Sequence, residues 1–208
     1  MDDFKHQPLE FPVAQIRLFR LTRSSLKASN ELEGGLEIFG LDDDCPKYTA
    51  LSYVWGSEDD CKAIWIDGRP LSIRRNLYDF LRSYSSSVNP AEKPSRTSSD
   101  GLNLTMHTYL WIDQLCIDQL DSIERGLQIQ LMSRIYSQAA QTLVWLGAHD
   151  DQIADAMNSL RHGSNEQMQK DENNLADVLA RNSYWTRLWV LQELHSLKIL
   201  CSYAARHL

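Results

Sequence analysis

Three short apolar segments constrain the fold of this chain most strongly, because each has the composition of a strand buried on both faces. They are residues 48–54, 109–112 and 143–146. Aromatic and aliphatic side chains dominate all three, which is typical of interior strands in a parallel sheet. We therefore expect these three strands to be adjacent, parallel and central.

A helical pattern lies between the second and the third of these strands. Asp121 and Glu124 have the spacing of a capping box, in which both side chains satisfy the first amides of a helix. Apolar residues then recur every four positions, at Ile123, Leu127, Leu131 and Ile135. This stripe predicts a long helix that packs on the sheet through Leu127, Leu131 and Ile135. The strand–helix alternation predicts an α/β domain, a mainly parallel sheet flanked by helices.

Further elements are expected on the amino-terminal side. Residues 16–21 alternate like an edge strand, and residues 36–39 are suited to pair with it. Residues 63–66 and 71–73 flank an Asp-Gly pair, which predicts an inserted β-hairpin with a tight turn. Asn76 is a candidate N-cap for a helix. The apolar face of that helix would comprise Leu77, Phe80, Leu81 and Tyr84.

The later part of the chain has weaker patterns. Residues 85–103 are rich in serine, proline and charge, which predicts a flexible loop within the domain. Helices are expected at 151–162, 173–182 and 184–194, followed by a last strand at 197–201. Residues 1–47 are interpreted as an amino-terminal extension that belongs to the same domain as residues 48–208.

Composition excludes several classes of function. The 208 residues are 43% hydrophobic and 24% charged, with a net charge of −7. Because phosphates repel an acidic domain, no nucleic-acid partner is expected. The four cysteines have no regular spacing, so no zinc site or disulfide framework is expected, and no other metal is indicated. Lacking both a signal-peptide pattern and an apolar run of membrane-spanning length, the chain is expected to be cytoplasmic.

Three sequence blocks together resemble the HET (heterokaryon incompatibility) family of filamentous fungi. They are YTALSYVWG at 48–56, the segment from LWID at 110–113 through CIDQ to VWLG at 144–147, and WTRLWVLQEL at 185–194. The match departs from the family pattern at Asp118, where asparagine is usual. The resemblance implies a cell-death signalling module in self/non-self recognition. Family members tend to continue beyond this domain, so a fragment or a short member is expected.

The HET family in turn resembles TIR domains, a flavodoxin-like fold. The end of the first strand at Ser52-Tyr53 and the block Leu115-Cys116-Ile117 are similar to TIR strand ends. Trp189 and Glu193 share the spacing of the TIR block that carries the catalytic glutamate. The resemblance implies an NAD glycohydrolase that breaks the nicotinamide–ribose bond with Glu193 as the catalytic residue. It also implies activation by self-association, with partner signalling proteins possible; NAD is then a substrate, and no cofactor is implied.

Several other residues are candidates for the ligand site. Tyr53, Trp55 and Gly56 follow the first strand, where an aromatic ring stacks on a base or simply belongs to the core. Asp113 and Asp118 either bind a ribose hydroxyl or shape their loop through Asx turns. Trp189 lies one turn before Glu193 and is suited to wall a pocket.

Competing interpretations remain for the chemistry. Glu193 is either catalytic or an ion-paired residue near a helix end. Glu124 is a second carboxylate, for which the capping box is a sufficient structural explanation. Cys116 lies between Leu115 and Ile117, which favours a buried, inert thiol over a nucleophile. The two functional hypotheses are therefore an NAD-cleaving enzyme and a non-enzymatic module that acts by self-association.

Overall fold

The computed structural model describes residues 2–22, 31–42, 45–87, 108–147 and 200–201. Its strands form one sheet with the order β5-β4-β2-β1-β6-β3-β7-β8. The strands are β1 (Gln15–Leu21), β2 (Glu33–Gly40), β3 (Tyr48–Tyr53), β4 (Cys61–Ile66), β5 (Arg69–Arg74), β6 (Tyr109–Trp111), β7 (Gln141–Trp145) and β8 (Leu200–Cys201). The helices are α1 (Arg75–Ser87), α2 (Asp113–Cys116) and α3 (Ser122–Gln138).

The three apolar segments are adjacent, parallel and interior, as the sequence predicts, but they lie toward the β8 side of the sheet and not at its centre. Strand β3 pairs in parallel with β6 on one side and with β7 on the other. All six residues of β3 are buried. The expected last strand is present as the short β8, which pairs in parallel with β7. These pairings confirm an α/β domain whose carboxyl strand ends meet at one edge.

Strand β1 is an interior strand, so the prediction of an edge strand is wrong. It pairs antiparallel with β2, as expected, and also with β6 on its other side. The prediction was misled by Arg17. Its charge gives the segment an alternating pattern, although the residue is only 1% exposed. The first 47 residues thus contribute two strands to the same sheet as the segments that follow.

The predicted hairpin is confirmed as β4 and β5, which pair antiparallel around Asp67 and Gly68. Both turn residues have positive φ, 49° and 76°, as a tight two-residue turn requires. The hairpin extends the sheet rather than standing apart from it, because β4 pairs in parallel with β2. With three antiparallel pairs among the described strands, the sheet is mixed. Its longest run of parallel pairs extends from β6 to β8.

Helices α1 and α3 lie on opposite faces of the sheet. Trp145 makes an edge-to-face contact with Phe80 of α1, and Trp111 makes one with Tyr136 of α3. Trp145 is paired with Tyr53 of β3 and Trp111 with Ala50. Since side chains three positions apart on a strand point to opposite faces, the two tryptophans do so as well. The predicted apolar face of α1 is buried, at Leu77, Phe80, Leu81 and Tyr84.

The buried face of α3 differs from the predicted leucine stripe. Its buried residues are Glu124, Gln128, Met132, Ile135 and Tyr136. Ile135 is therefore core as expected, whereas Leu127 and Leu131 are only half-buried and Ile123 is 75% exposed. The face of α3 that contains Glu124 and Gln128 is buried because both polar side chains bind residues of the amino-terminal segment. Gln128 donates to the carbonyls of Pro12 and Gln15.

Several predicted elements lie outside the described residues. They are most of the loop at 85–103, the helices at 151–162, 173–182 and 184–194, and the first part of the strand at 197–201. Residues 85–87 of the expected loop belong to the end of α1.

Candidate functional site

A partly open cavity of about 550 Å³ lies at the carboxyl ends of β3 and β6. Its lining comes from the residues after β3, the loop after β6, and α3. The lining residues are Val54, Trp55, Gly56, Asp113, Ile117, Gln119, Arg125, Ile129 and Met132. This position agrees with the general rule that ligands of open α/β sheets sit outside the carboxyl ends of the strands.

A chain of hydrogen bonds joins the polar side chains of the cavity wall. Trp55 Nε1 donates to Oδ2 of Asp113 at 2.7 Å, and Gln119 Nε2 donates to the Asp113 carbonyl at 2.9 Å. Arg125 in turn donates through Nη1 to the Gln119 carbonyl at 3.0 Å. The loop after β6 is thereby fastened both to the end of β3 and to the first turns of α3.

Trp55 is held on a second side by Arg74. The guanidinium carbon of Arg74 lies 4.7 Å from the centre of the indole ring, which is a cation–π contact. Arg74 also forms an ion pair with Glu58 and donates to the Gly56 carbonyl at 2.8 Å. Gly56 has φ = +83°, so a glycine is favoured where the chain leaves β3 and turns along the cavity.

The other candidates after β3 and β6 have structural roles. Tyr53 is completely buried, so its ring belongs to the core and offers no face for stacking on a ligand. Asp118 accepts from the amide of Leu120 at 3.0 Å, which is an Asx turn, and it does not line the cavity. Asp113 uses Oδ1 on the Gln114 amide and Oδ2 on Trp55. Its carboxylate therefore orients Trp55 in the cavity wall.

Glu124 is part of a buried ion pair that sequence reasoning missed. Asp121 caps α3 by accepting from the amides of Ile123 and Glu124, but Glu124 does not complete the predicted capping box. Its carboxylate binds Arg17 of β1 at 2.6 and 2.8 Å and also accepts from the Asp118 amide. Arg17 further donates to the Cys116 carbonyl. The pair thus fixes the loop after β6 from behind the cavity.

The electrostatics of this pair favour the charged carboxylate. Burial raises the pKa of Glu124, but the hydrogen bonds from Arg17 and the Asp118 amide outweigh burial, so the net pKa is lowered. No sequence signal next to Glu124 indicates this partner, because Arg17 lies 107 residues earlier in the chain. The one available hint was an arginine inside an otherwise strand-like apolar run.

Asn76 ties β3 to β7 instead of capping a helix, so the predicted N-cap is wrong. It lies inside the first turn of α1. Its amide nitrogen donates to the Val54 carbonyl at 2.6 Å, and its oxygen accepts from Trp145 Nε1 at 2.9 Å. The contact fixes the backbone that carries Trp55.

Cys116 is a buried, inert thiol, as its apolar neighbours predict. It is fully buried, and burial raises the pKa of its thiol to about 12. A thiol with this pKa is not a nucleophile at neutral pH. Within the described ranges, no cluster of three or more histidine, cysteine, aspartate or glutamate side chains is arranged to hold a metal ion.

Two further candidates, Glu193 and Trp189, lie outside the described residues. Among the sequence candidates, the cavity brings together Trp55, Gly56 and Asp113. It adds Gln119 and Arg125, which are not among the candidates from the sequence.

A comparison with family models identifies the family of this chain. The model of the heterokaryon incompatibility protein (HET) family matches residues 48–193, which is most of the chain. The chain belongs to the HET family. The cavity of this HET domain lies within the matched segment, whereas Arg17, which supports it, precedes the match.

The HET domain also resembles a curated fungal protein. It is 36% identical over 133 residues to the heterokaryon incompatibility protein 6, OR allele, of Neurospora crassa. The matched segment covers 60% of this chain and 18% of the relative. No solved structure matches the HET domain. In the part of the chain that the structure describes, no helix is long and apolar enough to span a membrane.

Proposed function

We propose that this HET domain is a cell-death signalling module of fungal heterokaryon incompatibility. Two findings support this role: the family match, and the relative in Neurospora crassa that is named for heterokaryon incompatibility. We place its action in the cytoplasm. We also treat residues 1–47 and 48–208 as one domain, since β1 and β2 share a sheet with the strands of the family match.

We further propose that the domain is TIR-like and acts by hydrolysing NAD at the nicotinamide–ribose bond. Among the described strands, β3, β6, β7 and β8 form one run of parallel pairs. If these four are numbered 1 to 4 in chain order, their order across the sheet is 2-1-3-4. Those are the first four positions of the flavodoxin-like strand order. The order supports a relationship that the sequence blocks had suggested.

The cavity at the ends of β3 and β6 carries the proposal. Its volume of about 550 Å³ is in the range of small-molecule sites, about 300–1,000 Å³. Its walls are mostly apolar and include an indole that is fixed by Asp113 and Arg74. Such a wall suits a flat heteroaromatic ring, which packs on an aromatic face.

In the proposed reaction, the bond between the nicotinamide nitrogen and the ribose carbon breaks and nicotinamide leaves as a neutral molecule. Positive charge then builds on the ribose, as in glycoside cleavage. The Glu193 carboxylate stabilises this charge and accepts a proton from the water that attacks the same carbon. The products are nicotinamide, ADP-ribose and one proton.

Expression in a fungal host tests the proposal at the level of the cell. Wild-type protein should lower both cellular NAD and viability. Glu193→Gln removes the charge and keeps the shape, so both should stay at the level of cells that carry an empty vector. Cell death that persists with Glu193→Gln at normal NAD would reject the enzymatic proposal.

One observation favours the non-enzymatic alternative, a module that acts by self-association and recruits partner signalling proteins. Leu120 is 98% exposed and Ile123 75% exposed at the beginning of α3. Together these two side chains offer a small apolar surface that suits contact with a second copy. If a second copy covers them, Leu120→Ser with Ile123→Ser should abolish the concentration-dependent rise in molar mass measured by light scattering. Killing that depends on these residues and not on Glu193 would support this alternative.

A further inference from the structure

We propose that Arg125 binds the phosphate of a nucleotide in the cavity, which makes it the residue that selects phosphorylated over unphosphorylated ligands. The inference rests on the proposed function in one respect, since it assigns a part of the same cavity. It extends that function by naming the chemical group that the described residues recognise.

The guanidinium of Arg125 has unused hydrogen-bonding capacity at the cavity wall. It has five N–H donors, and one nitrogen, Nη1, donates to the Gln119 carbonyl at 3.0 Å. In the described part of the chain it has no carboxylate partner, unlike Arg17, Arg20, Arg74, Arg75 and Arg134, which all form ion pairs. The bond to Gln119 fixes one edge of the guanidinium and leaves the remaining donors for a ligand.

The Asp113 carboxylate on the same wall already has hydrogen-bond partners. Both Asp113 oxygens accept hydrogen bonds, Oδ1 from the Gln114 amide and Oδ2 from Trp55. Asp113 as a whole residue is also only 8% exposed, so it has little surface for a cationic ligand. Among the described residues, the cavity therefore presents an arginine without a carboxylate partner beside a carboxylate that is occupied by its own neighbours, which favours an anionic ligand.

The rest of the lining defines the body of that ligand. Val54, Ile117, Ile129 and Met132 supply apolar surface. Trp55 adds an aromatic ring whose position is fixed. A ligand that matches both the apolar, aromatic lining and the Arg125 guanidinium has a flat, weakly polar ring and a phosphate. A mononucleotide is the simplest molecule of this kind. Arginine is well suited to the anionic part, because its planar fork binds two phosphate oxygens at once.

Calorimetric titration of the 208-residue chain tests the assignment with adenosine monophosphate, adenosine and inorganic phosphate. None of these probes has a nicotinamide–ribose bond, so binding is measured independently of NAD cleavage. Arg125→Gln removes the charge and Arg125→Lys retains it. Arg82→Gln is the matched control, because Arg82 is an exposed arginine on α1 and does not line the cavity.

Wild-type protein should bind adenosine monophosphate at least about tenfold more tightly than adenosine or phosphate, since a charge-assisted hydrogen bond contributes that much. Arg125→Gln should abolish this preference and leave adenosine binding within about twofold, Arg125→Lys should retain part of it, and Arg82→Gln should retain all of it. Equal binding of the nucleotide and the nucleoside would overturn the proposal. So would failure of all three probes to bind, phosphate binding as tight as that of the nucleotide, or an equal loss with Arg82→Gln. Nicotinamide release from NAD is scored separately, so either proposal can fail while the other stands.

Discussion

Arg17 and Glu124 form a two-point ion pair, with nitrogen–oxygen distances of 2.6 and 2.8 Å, although each side chain is almost completely buried. The pair joins β1 to α3. Through the Cys116 carbonyl and the Asp118 amide it also fixes the loop that carries Asp113 into the cavity wall. The amino-terminal segment is thus a physical support of the candidate site.

Removing one partner of this pair should destabilise the domain strongly. We expect Glu124→Gln to reduce the free energy of unfolding by about 3–5 kcal/mol, because it leaves the buried charge of Arg17 uncompensated. The matched control is Glu37→Gln in the exposed Arg20–Glu37 pair, whose side chains are 41% and 45% exposed. The control should cost only about 0–1 kcal/mol. Equal losses in urea denaturation would show that burial of the Arg17 pair has no energetic consequence.

The stability difference between wild type and Glu124→Gln should depend on pH. The pKa of Glu124 is lowered from its ordinary value of 4.5, because the hydrogen bonds and charge of Arg17 outweigh the opposing effect of burial. A lowered pKa in the folded state means that this stabilisation is complete above the ordinary value and is lost as the pH falls through the lowered one. The gap in Tm should therefore be constant from pH 7 to about 5 and close in stronger acid. A gap that stays constant down to pH 3 would contradict the lowered pKa.

Alanine substitutions along α3 should distinguish the observed buried face from the leucine stripe. Ile135→Ala should cost about 2–5 kcal/mol, the usual range for a fully buried aliphatic side chain. Leu131→Ala should cost less, because Leu131 is only half-buried. Ile123→Ala should stay within about 0.5 kcal/mol, as expected for an exposed position. If chemical denaturation showed a larger loss of stability for Leu131→Ala than for Ile135→Ala, the predicted leucine stripe would be supported instead.

Trp55 and Asp113 should act as one unit in ligand binding. If the carboxylate works by orienting the indole, Asp113→Ala and Trp55→Phe should weaken nucleotide binding by similar amounts. The double variant should then be scarcely worse than either single one, with a coupling energy of about 0.5–3 kcal/mol in a double-mutant cycle. Additive losses would show instead that Asp113 contacts the ligand independently of Trp55.

The sequence predicted those parts of the fold that local composition determines. The strands at 48–54, 109–112 and 143–146 were found because a strand buried on both faces needs an apolar run. The hairpin was found because Asp67 and Gly68 have the turn chemistry. Trp55 and Gly56 were placed near a site for a general reason, that ligands bind where parallel strands end.

The sequence-based predictions were wrong where a buried polar side chain forms its hydrogen bonds with residues far away in the sequence. Glu124 and Gln128 are polar by composition, so the pattern assigned the neighbouring leucines to the core. Their partners in residues 12–17 lie more than 100 positions away, and no local pattern encodes such a pairing. Arg125 was overlooked for a related reason: its place in a cavity wall depends on how the loop after β6 folds back toward α3.

The most direct measurement of the central claim is nicotinamide release from NAD by the purified 208-residue chain. The proposed function predicts release by the wild type, an increase in specific activity with protein concentration, and loss of activity with Glu193→Gln at an unchanged Tm. Glu10→Gln, an exposed glutamate away from the cavity, is the control and should keep full activity. If the wild type releases no nicotinamide, even when concentrated, the domain is not an NAD hydrolase. If Glu193→Gln releases it at the wild-type rate, another residue carries the reaction.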